Sequence, residues 1–437
     1  MRKIKQLFSS HKKLFKDYFT VIFGTSLGRG LSFVTSLILA RKLGVGGFGL
    51  FSVFFTVFFL VWQFPSVIDA VYVRFAKAET DEKRQDYLKA AYVIKCAIFL
   101  ILLTAAYPLS QCLSLYVFKK PELAFYLFQA IIAGAFLSVY SSVTSTFLAK
   151  ENFVVYSVMN FIFYAMVFIL VLGFIFFRGI TALISASLFS ASALCVGCFG
   201  IVYLYKRLKP IFPVRLSLFW DMFHFGKWLF AENVNYLVLQ RMDVLFLTRF
   251  ASFAELGIYS AAVRMAMLAA LLTSSATAIF MPRGCESCKS ENHMKFYLKE
   301  TRVATAALSL LIVLLMIFSP LLIKVLFGPE YMKCLFASRL LLLEAIFVIL
   351  YMPFSYIFYS SGNTKIIFKL GVIKLLAVIT GLSLCVPFLG ASGAALSLAF
   401  SSFIGLVFAV AWSAKIIKNT QNSYELNDGI LPNTELG

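Results

Sequence analysis

Twelve mostly apolar runs follow one another along the chain, each long enough to cross a bilayer as a helix. A helix needs about 20 such residues to traverse about 30 Å of hydrocarbon. The runs are 18–40, 48–73, 91–113, 122–148, 153–177 and 180–204, then 221–248, 255–281, 303–327, 334–360, 366–388 and 391–414. Inside hydrocarbon every backbone N–H and C=O must find a partner within the protein, so only helices and closed barrels span. Runs of this length exceed the roughly 9–11 residues of a spanning strand. Charged residues are 14 % of the chain and hydrophobic ones 61 %, against roughly 25 % charged in soluble domains. The expected fold is an all-α membrane protein of twelve transmembrane helices. The longest polar segments, the two ends and 74–90 and 282–302, fall short of the about 50 residues of a small folded domain. A soluble catalytic or nucleotide-binding domain is therefore excluded.

The net charge of +20 comes from 40 Lys and Arg against 20 Asp and Glu. In a soluble protein this would suggest nucleic acid, but here its placement follows the bias of Lys and Arg toward cytoplasmic loops. With the N-terminus inside, 24 of the basic residues fall in cytoplasmic segments, seven in outer loops and nine inside spans. Both termini are expected in the cytoplasm, and the first span, which lacks an A-x-A-like cleavage site, is expected to be an uncleaved anchor.

The chain also resembles itself at an offset of about 210 residues. Leu39-Ala40-Arg41 aligns with Leu247-Thr248-Arg249, and Gly49-Leu50-Phe51-Ser52 with Gly257-Ile258-Tyr259-Ser260. Tyr87-Leu88-Lys89 returns as Tyr297-Leu298-Lys299, Pro121-Glu122 as Pro329-Glu330, and Asn152 as Asn363. Six spans per repeat is an even number, so the halves enter from the same side as parallel repeats. The expected organisation is a basic N-terminus 1–17, a six-helix lobe 18–204, a cytoplasmic linker 205–220, a second lobe 221–414 and a cytoplasmic tail 415–437, with a central cavity between the lobes.

Ionisable groups at membrane depth are costly and usually face a cavity or one another. The in-span cations are Arg29, Lys95, Lys227, Arg241, Arg264, Lys324, Arg339, Lys369 and Lys374, and the in-span acids are Asp69, Glu232, Asp243 and Glu344. Helical spacing places Thr25, Arg29, Ser32 and Ser36 on one stripe, and Ser52, Thr56, Gln63 and Ser66 on another, with Pro65 as a kink. The seventh span is the most polar, with Asn233, Tyr236, Gln240 and Asp243 on one face flanked by Lys227, Arg241 and Glu232. At an offset of 208, Thr25 maps to Asn233, Ser32 to Gln240 and Thr56 to Arg264. Spans 1, 2, 7 and 8 are expected to line the cavity. Its net positive charge suits an anionic substrate, with Arg29, Arg264, Arg241, Lys227, Ser32, Gln63, Asn233 and Gln240 as candidate substrate-binding residues. An internal ion pair, such as Arg29 or Arg264 with Asp69 or Asp243, is the competing explanation.

Gly44-Val45-Gly46-Gly47-Phe48-Gly49 matches the dinucleotide pattern G-x-G-x-x-G, but that motif needs a preceding strand. Between two spans it is a turn. Cys285 and Cys288, with His293 nearby, lack the four ligands of a structural zinc site. Cys195 and Cys198 lie inside a span and are expected to pack as small hydrophobes. No metal, cofactor or catalytic group is expected.

The basic N-terminus and glycine-punctuated first span lead into Ala40-Arg41-Lys42-Leu43-Gly44 and Phe48-Gly49-Leu50-Phe51-Ser52. Asp243-x-x-Phe246-Leu247 and Leu256-Gly257-Ile258-Tyr259-Ser260 follow in the second half. Together these resemble the bacterial polysaccharide biosynthesis flippases, the O-antigen (Wzx-type) translocases of the multidrug/oligosaccharidyl-lipid/polysaccharide exporter superfamily. The resemblance implies an inner-membrane protein that moves undecaprenyl-diphosphate-linked oligosaccharide from the cytoplasmic to the outer face. Related lipid II flippases carry cavity arginines in their first and eighth helices, where Arg29 and Arg264 stand here; the arginine of their second helix has no counterpart beside Thr56 and Gln63. Asp69, Glu232 and Asp243 are candidates for a coupling proton or Na⁺. The bilayer and other membrane proteins of polysaccharide assembly are the further partners to expect, with no nucleic acid. Two alternatives stay open: a multidrug/cation antiporter of the same superfamily, and a polysaccharide polymerase or ligase.

Overall fold

The computed structural model describes residues 2–78, 81–177, 179–208, 215–287, 291–360 and 364–428. Among them every regular element is helical and there is no strand. The helices are α1 (Arg2–Gln63), α2 (Ser66–Ala78), α3 (Asp81–Cys112), α4 (Ala124–Ala149), α5 (Phe153–Phe177) and α6 (Ala182–Arg207). They continue with α7 (Leu216–Phe250), α8 (Phe253–Ser287), α9 (Glu291–Leu326), α10 (Leu335–Ser360) and α11 (Thr364–Asp428). Nine helical stretches in the described residues are long and apolar enough to cross a membrane. Two of them, Gly24–Ala76 and Lys365–Ala414, run to 53 and 50 residues, far beyond the about 20 a single crossing needs.

Each of these two is divided by a glycine. Gly44 has φ 64° and ψ 177° inside α1, and Gly390 has φ 51° and ψ −127° inside α11. A positive φ costs glycine almost nothing and other residues much more. The glycine-rich segment 44–49 is thus a helix-to-helix turn, and α11 divides between the expected eleventh and twelfth spans. α7 is not among the nine apolar stretches, because its polar face dilutes its hydropathy, so a total of twelve crossings depends on it. The repeat also shows in the turns. Pro121-Glu122 begins a 3₁₀ turn after Lys119 at φ 53°, and Pro329-Glu330 begins another after Gly328 at φ 106°.

The chain forms two compact units, Met1–Gly257 and Ile258–Gly437. The division lies early in α8 rather than in the linker 205–220, because α7 packs against α1, α2 and α3. In the first unit α4 is central, touching α1, α2, α3, α5 and α6. Its Ala130, Ala133 and Ala135 are fully buried. Small residues let membrane helices approach closely where no hydrophobic drive separates them from lipid. Gly197 of α6 makes the same contact from the other side: a Cβ there would lie 2.6 Å from that of Phe136. Phe51, Phe54 and Phe58 of α1 stack along one face, and Phe189 of α6 meets Phe51 edge-on at 5.1 Å between centroids. In the second unit α10 packs against α9 and α11, around Ile312, Leu342 and Ile349 and around Phe358, Leu370 and Ala409.

One backbone contact carries the repeat into three dimensions. An added Cβ on Gly49 would strike the carbonyl of Phe253, and one on Gly257 would strike the carbonyl of Val45. Gly49 and Gly257, like Val45 and Phe253, are separated by 208 residues, so the two contacts exchange under the repeat. All four residues belong to the first unit. Gly49→Val and Gly257→Val are each expected to cost about 1–3 kcal/mol through overpacking, whereas Gly173→Ala, inside α5 with open space around its Cα, should not destabilise and gains up to about 1 kcal/mol of helix propensity. Thermal unfolding of the four detergent-solubilised proteins checks this, and equal melting temperatures would refute it.

Candidate functional site

The junction of α1 and α2 builds the most chemically specific feature of the first unit. Pro65 has no N–H to donate and clashes with a continuing helix, so α1 ends at Gln63 and α2 starts at Ser66. The break frees the Gln63 carbonyl. Ser66 Oγ donates to it at 2.6 Å, and Asn233 Nδ2 of α7 donates from across the interface at 3.3 Å. Beside this joint lies a cavity of about 290 Å³ lined by Ser66, Val67, Ala70, Leu229, Glu232, Asn233 and Tyr236. The kink expected at Pro65 is therefore present, and Asn233 and Glu232 stand together at it.

The remaining expected site residues of this unit are distributed along α1 and α7. Arg29 is exposed on α1 and Ser32 is half-buried. The adjacent face of α1 packs on α5, where a Cβ on Gly24 would meet Ser157 and one on Gly28 would meet Tyr164. Lys227, Glu232 and Gln240 are exposed on α7. Arg241 is half-buried, with its guanidinium 4.4 Å above the Phe59 ring centroid, a cation–π geometry. Asp243 is buried, and its Oδ1 accepts from the Val244 amide at 2.8 Å.

Asp69 has a different setting. Its carboxylate takes Lys95 Nζ at 2.5 Å, Ser141 Oγ at 2.7 Å, Ser142 Oγ at 3.2 Å and Ser145 Oγ at 3.3 Å. Lys95 completes its shell with the Ser138 carbonyl at 2.8 Å and Ser141 Oγ at 2.7 Å. The Lys95 side chain is fully buried and that of Asp69 is 13 % exposed. The partner of Asp69 is thus Lys95 rather than Arg29. Ser138, Ser141, Ser142 and Ser145 fall at i, i+3, i+4 and i+7 on α4, one face of a helix. That spacing was the available sequence signal for this shell.

The second unit contains a related group. Ser402 Oγ donates to Glu344 Oε1 at 2.9 Å, and Ser401 Oγ donates to the Lys374 carbonyl at 2.8 Å. The Lys374 ammonium lies 5.4 Å from the Tyr351 ring centroid. Arg264 is half-buried on α8, with Nη1 3.3 Å from Met267 Sδ. Lys324, Arg339 and Lys369 are exposed. The side chains of Ser274 and Cys285, and all of Cys288 and Asn363, lie outside the described residues. Among the described residues no group of three His, Cys, Asp or Glu is placed to hold a metal ion.

Comparison with known proteins sets this arrangement in context. The sequence model described as "Polysaccharide biosynthesis protein" matches residues 14–283. No curated protein sequence matches the chain. Among solved structures, "Lipid II flippase MurJ, inward closed conformation" is similar with a TM-score of 0.73 at 14 % identity, over 96 % of this chain and 94 % of that one. An inward-facing multidrug resistance MATE family transporter of the MOP superfamily gives 0.68 at 14 % identity, over 91 % and 96 %. A MOP superfamily transporter from Pyrococcus furiosus, whose description reports a reversed polarity of the binding pocket, gives 0.64 at 14 % identity, over 93 % and 96 %. The fold is thus that of the MurJ and MATE transporters.

The Lys95–Asp69 pair makes a direct energetic prediction. Removing one partner of a buried pair strands the other charge and costs about 3–5 kcal/mol. Lys95→Met should therefore destabilise strongly, and the Lys95→Met/Asp69→Leu double variant should recover most of the loss. A double-mutant cycle of unfolding free energies in detergent measures the coupling, and simple additivity would rule it out.

Proposed function

Because the chain belongs to the polysaccharide biosynthesis protein family, we propose that it is a flippase for lipid-linked oligosaccharide, an undecaprenyl-diphosphate-linked surface-polysaccharide repeat unit such as O-antigen. It would act in the bacterial inner membrane, with both termini cytoplasmic, passing its cargo from the cytoplasmic to the outer face by alternating access. The observation that carries this reading is the sorting of intramembrane charge. Lys95 is neutralised inside the first unit by Asp69, with the Ser138 carbonyl and Ser141 Oγ completing its hydrogen bonds, while Arg29 and Lys227 are exposed on helices with polar faces.

Exposed arginines suit a diphosphate. The guanidinium stays protonated and presents parallel donors to phosphate oxygens. Ser32, Gln63, Asn233 and Gln240 supply hydroxyl and amide groups for sugars, and the polyprenyl chain remains in lipid. An inside-negative potential favours outward movement of an anion by about 2.3 kcal/mol per charge per 100 mV. Glu232 and Asp243 are the proposed positions for a coupling proton or Na⁺. Asp69, held by Lys95, would couple only if that pair opened.

A cation antiporter would need the opposite charge on these faces. One similar solved transporter is described by a reversed polarity of its binding pocket and a different function. The exposed cations Arg29 and Lys227 are what favour an anionic cargo here. Arg29→Ala and Arg264→Ala should each lower surface glycan at least tenfold in a bacterium lacking its own flippase and complemented with this gene, at unchanged membrane levels. Full restoration by both variants would remove these arginines from the path. Restoration of drug resistance without glycan would replace the reading with the antiporter.

A further inference from the structure

The shell around the Lys95 ammonium is richer in oxygen than a simple ion pair. An ammonium has three N–H donors, and Lys95 Nζ meets three oxygens: Asp69 Oδ2 at 2.5 Å, Ser141 Oγ at 2.7 Å and the Ser138 carbonyl at 2.8 Å. Ser141 Oγ also donates to Asp69 Oδ2 at 2.7 Å. The other carboxylate oxygen, Asp69 Oδ1, takes Ser142 Oγ at 3.2 Å and Ser145 Oγ at 3.3 Å. A carboxylate and a hydroxyl beside a backbone carbonyl, gathered from α2 and α4, suit an ion stripped of its water; carbonyl oxygens replace the hydration shell of K⁺ in channels. Lys95 reaches this shell from a third helix, α3, and its side chain is fully buried, whereas that of Asp69 is 13 % exposed.

The second copy of the internal repeat lacks this group. The flanking matches set the offset at 208–210 around Asp69 and Lys95, and at 208–211 around the serines. Asp69 then falls on Thr277-Ala278-Ile279 and Lys95 on Val303-Ala304-Thr305, with neither an acid nor a base. Ser138, Ser141 and Ser142 fall within 346–353, which contains no serine. One repeat therefore does without the pair and most of its shell. Buried ion pairs are often no more stabilising than well-packed apolar residues, so packing alone does not account for this one.

We propose that these oxygens form a monovalent-cation site whose resident occupant is the chain's own ammonium. Lys95 takes the place that NH₄⁺, K⁺ or Na⁺ would hold, so the first unit keeps a fixed positive charge and takes up no soluble ion at Asp69. Because the ammonium is tethered, an ion from solution has to displace it to enter. Any coupling ion of a transport cycle is thereby directed to other carboxylates. Truncating Lys95 leaves the three oxygens around a space of ammonium size, which NH₄⁺ and K⁺, of similar radius, fit best. The site rests on the shell alone and stands whether or not the protein is a flippase.

The test uses the purified full-length protein in an uncharged detergent. Thermal unfolding is followed at equal ionic strength in the chloride salts of ammonium, K⁺, Na⁺ and choline, the last being too large for the shell. Wild type should melt at one temperature in all four. K95A should melt lower in choline and regain at least about 2 °C in the ammonium or K⁺ salt, because a ligand of the folded state raises its melting temperature. D69N/K95A, which lacks the carboxylate, and K95M, whose thioether fills the lysine's space, should regain nothing. K95S, small and polar, serves if K95A does not fold. Equal regain in K95M and K95A would mark a general salt effect, and no regain in either K95A or K95S would remove the site. A Na⁺- or K⁺-specific gain in wild type that D69N abolishes would mean that a soluble ion already displaces Lys95. Each of these three results would overturn the proposal.

Discussion

Hydrocarbon offers no hydrogen bonds, and this constraint decides how every polar group in the chain is used. Many span hydroxyls are satisfied within their own helix. Ser52 Oγ donates to the Phe48 carbonyl, Thr35 Oγ1 to that of Leu31 and Ser397 Oγ to that of Gly393, each at 2.7 Å. A serine in a span therefore says little about a substrate path until its partner is known. Where a helix breaks, the freed carbonyl must be met again. At Gln63 this is done by Ser66 and by Asn233 of another helix, so the break at Pro65 also joins α7 to the α1–α2 turn.

The same constraint sorts the charges. A buried lysine survives only where a carboxylate and enough oxygen acceptors surround it. Lys95 has both, and α4 supplies four serines on one face to complete the shell. Glu344 with Ser402 shows related chemistry in the second unit. The charges left on exposed faces, Arg29 and Lys227 among them, are those available to act on something outside the protein. A third group, Arg84, Lys150 and Arg207, lies around a cavity of about 250 Å³ in the first unit.

Much of this fold was legible in the linear chain. Apolar runs announced helices because a spanning helix leaves a continuous hydrophobic signature. The glycines at 44 and 390 mark turns because of their positive φ, and Pro65 marks a break because it lacks a donor. Two features read less directly. The eleventh and twelfth spans meet at a sharp kink at Gly390 rather than across a loop. The first compact unit takes in α7, because α7 packs on α1 and α2 as well as following the linker.

The sequence by itself determined the membrane environment, the helical class, the internal repeat and the list of charges that must be accommodated, since these depend on local composition and period. Which charge meets which was decided only in three dimensions. Asp69 and Lys95 are 26 residues apart on different helices, and the serines that complete their shell lie more than forty residues further along. Arg84, Lys150 and Arg207 line one cavity from three separate segments. Helical spacing specifies the face of one helix; the facing partner is set by how small residues such as those of α4 and Gly197 allow neighbouring helices to close on one another.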